Sequence, residues 1–260
     1  MVAAEASSFV ARTKAILSAR VAALPPVSAV SFKDTCRLIQ SKYSINEESV
    51  LTRLAPNNDV LQDGFQVESR TNDRLIADLG GLPGISPHEL VANVPYASII
   101  NAAFTHARPD GSRFSGPERG AWYAAKNVKT SQAEVAFHQT VALSEVGRFK
   151  DEVTYDEYLA DFAGDFHQLV NSPKFAAFLD PNSYKASQLL AAELLEKGSP
   201  GIVYPSVRIT GICLVCFRPA LVTHVRKGRT FRFRWTGTPK PIIELASPSK
   251  PLTRSRTRTS

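Results

Sequence analysis

The sequence predicts an α+β protein built as one domain. The composition, 43% hydrophobic and 21% charged residues, is that of a globular chain with a real core. The patterned segments run strand, helix, strand, helix and then three strands, and no internal repeat interrupts them. This order is compatible with a mixed sheet carrying helices at its edges, but it does not single that fold out.

Taken in order, residues 1–24 space Phe9, Val10, Ile16, Leu17, Val21 and Leu24 between small and basic residues. That spacing predicts an amphipathic helix ending before Pro25-Pro26. Transit peptides show a similar composition, but a packing helix is the favoured reading. Residues 55–115 are rich in Pro, Gly, Asn and Asp and read as irregular. Within them a short helix is expected near Arg74–Leu79, and Tyr96–Phe104 is apolar enough to be buried.

Trp122–Ala125 reads as a short strand. Thr130 is placed as the cap of a helix over Thr130–Leu143, with Ala133, Phe137 and Val141 on its buried face. Val153–Phe162 fits both a capped helix and an alternating strand. The strand is preferred, with a turn allowed at Gly164. Ser183–Lys197 is a helix capped by Ser183 and stopped by Gly198, with Ala186, Leu189, Leu190 and Leu194 as its apolar stripe. Strands follow at Gly201–Arg208, Ile212–Phe217 and Thr230–Trp235. In the last, Phe231, Phe233 and Trp235 share one face and Arg232 and Arg234 the other. Beyond Thr236 the Pro-, Ser- and Thr-rich chain reads as a disordered basic tail.

The formal charge of +7 is local. From His224 onward there are ten Lys/Arg and one acid, so the preceding body is close to neutral. No apolar run approaches the roughly 18 residues of a membrane helix, so no spanning segment is expected. Three cysteines, Cys36, Cys213 and Cys216, do not make a disulfide framework, and an odd count favours the cytoplasm. Cys213 and Cys216 form a CxxC inside a strand. Strand residues three apart point to opposite faces, so they read as core thiols and no metal site is expected.

Four pieces could carry chemistry: Arg113 in the Gly111–Gly116 loop, Tyr123 in the short strand, Glu134 placed in the first turn of its helix, and Ser206 in Tyr204-Pro205-Ser206-Val207-Arg208. Singly, each has a plain reading: a solvated loop arginine, a core tyrosine, a carboxylate at the positive helix end, a serine in a bend.

Together, the run GSRFSGPERGAWYAAKNVKTSQAEVAFH, followed by GIVYPSVR and GICLVCFRP, resembles the RES domain, named for its Arg, Glu and Ser. The upstream pieces CRLIQSKYS, TNDRLIADLG and YASIINAAFTHARPDGSRF are similar to one branch of it, so the resemblance covers roughly residues 34–219. It implies an ADP-ribosyltransferase-like fold, with a mixed, partly split sheet, flanking helices and a pocket between the sheet halves. It also implies a toxin that consumes NAD by cleaving the nicotinamide–ribose bond, by hydrolysis or phosphorolysis, with protein ADP-ribosylation as the alternative. An Xre-type antitoxin is the implied partner. The expected layout is a helical extension over residues 1–30, the RES domain over 31–236 and the tail over 237–260.

Carried over by position, Arg113, Glu134 and Ser206 match the Arg, Glu and Ser of the signature, and Tyr123 matches the aromatic before the helix. Arg37 resembles an early arginine near the dinucleotide, although a long insertion follows it here. The chemistry fits those roles. Guanidinium forks match pyrophosphate oxygens. A Tyr ring offers a flat face to nicotinamide and a hydroxyl to a ribose. A carboxylate on the ribose 2′-hydroxyl stabilises the positive charge that builds as the glycosidic bond breaks. Ser206 would orient a ribose or phosphate, since no motif histidine activates it as a nucleophile. His106 and His138 flank the motifs, and His138 could assist a water or acceptor. The loop after Arg113, SGPERG, carries charge where many members have smaller residues. A competing reading is a basic nucleic-acid-binding protein, suggested by the Arg/Phe alternation at 231–235 and the basic end.

Overall fold

The computed structural model describes residues 24–44 and 84–246. The expected N-terminal helix, the short helix near Arg74–Leu79 and residues 247–260 of the basic tail lie outside the described residues. Among those described, the elements are β1 (Val27–Gln40), α1 (Ala97–Thr105), β2 (Trp122–Ala125), α2 (Val128–Glu145), β3 (Lys150–Gln168), α3 (Lys185–Glu196), β4 (Gly201–Pro205), β5 (Ile212–Cys216), β6 (Thr223–Thr236) and β7 (Ile242–Leu245). The class is α+β, as the sequence predicts.

The sheet consists of two pieces. A short antiparallel piece has the order β2-β5-β4, and a long one has the order β1-β3-β6-β7. They meet at two narrow joints: Cys36 of β1 opposite Ala125 of β2, and the parallel pairing of His167 and Gln168 with Ile202 and Val203. The pairings therefore close a ring through β1, β2, β5, β4 and β3, and the long strands diverge from the short ones between the joints. This is the split sheet that the resemblance implies.

Alternation sets the layers. In the short piece, Cys213, Val215, Ile202 and Tyr204 pack against Leu190, Ala191 and Leu194 of α3. The opposite face, with Trp122, Ala124, Val203, Leu214 and Cys216, packs against Ile99, Ile100 and Phe104 of α1 and Phe162 and Phe166 of β3. The two cysteines of the CxxC thus lie in different cores, both as free buried thiols. A third cluster joins Leu143 of α2 to Cys36, Leu38, Tyr155, Phe231, Phe233 and Trp235.

The structure departs from the sequence reading at several elements. Val27–Val30, placed in a helical extension, are strand and pair with Gly164–His167. β1 had no clear alternation because Lys33 and Asp34 sit at a bulge between Phe32 and Thr35, where Asp34 turns left-handed at φ 55°. Arg226 bridges Asp34 and Asp161 across that bulge. β3 does not turn at Gly164 but runs 19 residues, paired on both edges.

The N-cap of α2 is Asn127, whose side chain accepts from the Thr130 amide at 2.9 Å; Thr130 lies inside the helix. For α3 the cap position is Tyr184, although Ser183 Oγ accepts from the Lys185 amide at 3.4 Å. Ile242–Leu245, read as tail, add β7 to the edge of β6. Phe231, Phe233 and Trp235 are buried as the alternation predicts. Arg232 and Arg234 on the other face pair with Glu152 and Glu244. The residues that suggested nucleic-acid stacking are therefore core aromatics and ion-paired arginines.

Candidate active site

Between the two sheet pieces, beside the β1–β2 joint, lies a cavity of about 390 Å³. One wall is β1 from Cys36 to Gln40, another is Tyr123–Ala125 of β2, and the loop from His106 to Ser115 closes a third side. The fourth wall is one face of α2: Ser131, Glu134, Val135, His138, Gln139 and Ala142 recur at helical spacing. This explains why the expected apolar stripe of α2 fails. Ala133 and Phe137 are only partly buried and Val141 is 41% exposed, because the inward face lines a polar cavity and not a core. Ser131 ties the helix to β1 by donating to the Cys36 carbonyl at 2.6 Å.

Arg113 is buried in its loop. The loop is a tight Ser112–Ser115 bridge, and Gly111 at φ 70° permits it, since a Cβ there would run into the Ser115 carbonyl. The guanidinium donates to the Asp180 carbonyl at 2.7 Å and lies 4.8 Å from the Tyr184 ring. Backbone dipoles and an aromatic face hold it, and no carboxylate pairs with it among the described residues.

Tyr123 Oη takes part in two bonds, accepting from the Phe114 amide at 3.0 Å and pairing with Ser115 Oγ at 3.1 Å. Burial pushes this phenol up to about 12. The hydroxyl is engaged in holding the Arg113 loop, so the ring, not the hydroxyl, is the part left to face a ligand.

Arg37 also lines the cavity. It donates to the Tyr123 carbonyl at 3.3 Å and lies 4.9 Å from the Trp122 ring, and its Nε is buried without a partner. Burial lowers the guanidinium to about 10, which leaves it charged at neutrality.

Glu134 lies in the second turn of α2, because the helix begins at Val128; no acid stands in the first turn. The expected dipole reading of this carboxylate therefore fails. Instead Oε1 accepts from Ser206 Oγ at 2.5 Å. Ser206 does not itself line the cavity. Its Oγ accepts from the amides of Arg208 at 3.1 Å and Ile209 at 3.3 Å. Gly211 lets this loop close on α2, as a Cβ there would collide with the Thr130 side chain. The structure thus brings Arg37, Arg113, Tyr123 and Glu134 to one cavity and places Ser206 directly behind the carboxylate.

Sequence reasoning missed Arg108, Gln40, Gln139, Tyr155, Tyr184 and Tyr204, all in the lining. Gln139 stands five residues after Glu134, about 140° round the helix from it, so spacing did not mark it; the others come from distant elements. His106 and His138 line the cavity as well. Burial, then the charges of Arg108, Arg208 and Arg113, lowers the His138 imidazole to about 4, so it is neutral.

Arg208 stacks on Phe137, 3.3 Å from its ring centre, and donates to the Pro181 carbonyl at 3.0 Å. Among the described residues, Arg37, Arg108, Arg113 and Arg208 make no ion pair. Most described arginines elsewhere are matched: Arg119 and Arg218 on Glu89, Arg226 on Asp34 and Asp161, Arg229 on Glu157, Arg232 on Glu152 and Arg234 on Glu244, with exposed Arg148 the exception. Arg37, Arg108 and Arg113 line the cavity beside the single carboxylate of Glu134, so the lining carries more positive than negative side chains.

An α+β protein with a split sheet and an arginine-lined cavity at its joint is the class that fold and site define. A model of the RES domain matches residues 87–236, and the chain belongs to the RES-domain family. The matched span includes Arg113, Tyr123, Glu134 and Ser206 but begins after Arg37. Among solved structures, the chain is similar to one described as the crystal structure of the M. tuberculosis MbcT–MbcA toxin–antitoxin complex. The likeness is at 12% identity and a TM-score of 0.42, covering 78% of this chain and 85% of that one. No curated protein matches the chain in sequence.

Proposed function

We propose that the protein is an NAD-consuming enzyme that cleaves the nicotinamide–ribose bond, and that it acts as a toxin neutralised by an Xre-type antitoxin. The observation that carries the reading is the joint placement of Glu134 with Arg113 and Arg37, which make no ion pair among the described residues, around one cavity, with Ser206 anchored on the carboxylate. At about 390 Å³ the cavity is within the range of small-molecule sites.

Arg113 and Arg37 would bind the pyrophosphate, and the ring of Tyr123 would flank the nicotinamide. Glu134 accepts one hydrogen bond, from Ser206 through Oε1; Oε2 accepts none among the described residues. That oxygen would accept from the 2′-hydroxyl beside the breaking bond. The interaction strengthens as the ribose carbon becomes cationic, so it favours the transition state over the ground state. Ser206 keeps the carboxylate in place and needs no activation. Nicotinamide departs as a neutral molecule, so no strong general acid is demanded.

The acceptor is water or phosphate in this reading, with protein ADP-ribosylation as the alternative. Three buried free thiols favour a reducing compartment such as the cytoplasm. The test is incubation of the purified protein with NAD, following nicotinamide release with and without phosphate. Wild-type protein should release it, and Glu134→Gln should not. An intact NAD pool with folded, antitoxin-free protein would sink the reading.

A further inference from the structure

The cavity extends beyond Glu134 along α2 to Ala142, eight residues or about 12 Å at helical rise. At that far end Gln40, Gln139 and Tyr155 meet. Gln40 Nε2 donates to Gln139 Oε1 at 3.3 Å and to Tyr155 Oη at 3.5 Å, and Gln139 Nε2 donates to Asp151 Oδ2 at 3.4 Å.

This chain has a forced polarity. A carboxylate oxygen accepts, so the amino group of Gln139 faces Asp151 and its carbonyl faces Gln40. Both N–H groups of Gln40 are then engaged, by Gln139 and by Tyr155. Among the described residues, what is left over is one acceptor, Gln40 Oε1, and one donor, the second N–H of Gln139. Leu38 and Ala142 add apolar surface to the same lining, and Arg108, which also lines it, makes no ion pair among the described residues.

We infer that Gln40 and Gln139 form a purine subsite that reads adenine and rejects bases with a carbonyl at the same position. Adenine presents a donating exocyclic amino group beside an accepting ring nitrogen, the complement of the leftover acceptor and donor. Hypoxanthine and guanine present an accepting carbonyl where the amino group stands, and it would face Gln40 Oε1 with no proton between. Asp151 is a positioning residue: it touches no base but sets the direction of both amides. The inference rests on the dinucleotide reading above and names the half of the substrate that reading leaves unassigned.

The test uses the full chain, with nicotinamide release from NAD and from its hypoxanthine analogue, and calorimetric binding of ADP and IDP. The adenine member should be preferred about ten- to a hundredfold in kcat/KM and in affinity. Gln40→Leu should bring both ratios close to one and raise KM for NAD more than it lowers kcat. Asp151→Asn should relax the ratios as well, because an asparagine can present its amino group and reverse both amides; a merely structural aspartate would leave them alone. Thermal melting checks that each variant folds, and if Gln40→Leu does not, Asp151→Asn carries the test. Equal treatment of the two bases by the wild type, or a folded Gln40→Leu that keeps the preference, overturns the inference. If neither dinucleotide is cleaved while ADP still binds tighter than IDP, the NAD-cleaving reading falls and the purine subsite stands.

Discussion

Ser206 Oγ donates to Glu134 Oε1 at 2.5 Å, joining the β4–β5 loop to the cavity face of α2 across 72 residues of sequence. The donor role is imposed. Two backbone amides, of Arg208 and Ile209, occupy the lone pairs of the hydroxyl, so its proton has only the carboxylate to go to. The carboxylate in turn has one oxygen anchored and one available.

Glu134→Gln should therefore reduce kcat for nicotinamide release by about 10²–10³, the usual loss for removing a charge aimed at a transition state. Its melting temperature should barely move. Ser206→Ala should lose about tenfold, since the carboxylate remains but wanders. Steady-state kinetics on both variants decides this. An alanine variant as inactive as Glu134→Gln would mean that Ser206 touches the substrate itself.

Arg113→Lys should raise KM for NAD by about tenfold or more with a smaller effect on kcat. An ammonium cannot reproduce the fork, the bond to the Asp180 carbonyl and the stack on Tyr184 at once. Raising ionic strength should weaken the wild-type interaction in the same direction. An unchanged KM in the lysine variant would remove Arg113 from phosphate binding.

His138 gives a pH prediction with a definite sign. Its folded value lies near 4, below the ordinary 6.5, so between those values the unfolded chain binds a proton that the folded one does not. Its contribution to stability is thus complete above about pH 6.5 and is lost as pH falls toward 4. Replacing it by glutamine should flatten the fall in denaturant midpoint across that window relative to the wild type. His167, also shifted down by burial, contributes the same way in both proteins and cancels in the comparison.

Glu89 should matter for stability and not for chemistry. It receives Arg119 through two bonds, at 3.0 and 2.9 Å, and Arg218 at 3.1 Å, which hold its carboxyl down to about 2. Glu89→Ala leaves the buried Arg119 charge unmatched and should cost about 3 kcal/mol in urea unfolding. At temperatures where the variant is folded, KM for NAD should be unchanged.

The β2 strand, the helix stopped before Gly198 and the Phe/Arg alternation at 231–235 were legible because local period and burial agree there; of Tyr96–Phe104, read as buried within an irregular stretch, Ile99, Ile100, Ala103 and Phe104 are buried, on a helix that the reading missed. β1 was not, because a charged bulge breaks its alternation. α2 was misread for a related reason: its inward residues, Ser131, Glu134, His138 and Gln139, face a cavity, so the pattern of a buried face is absent from the sequence. The family motifs pointed to Arg113, Tyr123, Glu134 and Ser206 even so. They could not indicate that the Tyr123 hydroxyl is engaged in holding a loop or that Ser206 stands behind Glu134.

By itself, then, the sequence determined which side chains are present and the order of most strands and helices, which follow from spacing and local propensity, and its motifs carried the resemblance to the family. Only the tertiary structure decided which of them share a cavity, which guanidiniums lack an ion pair, and which amide atoms are left unused at its far end. Those properties depend on contacts between segments as much as 115 residues apart, at distances of a few ångströms, and no local period encodes them.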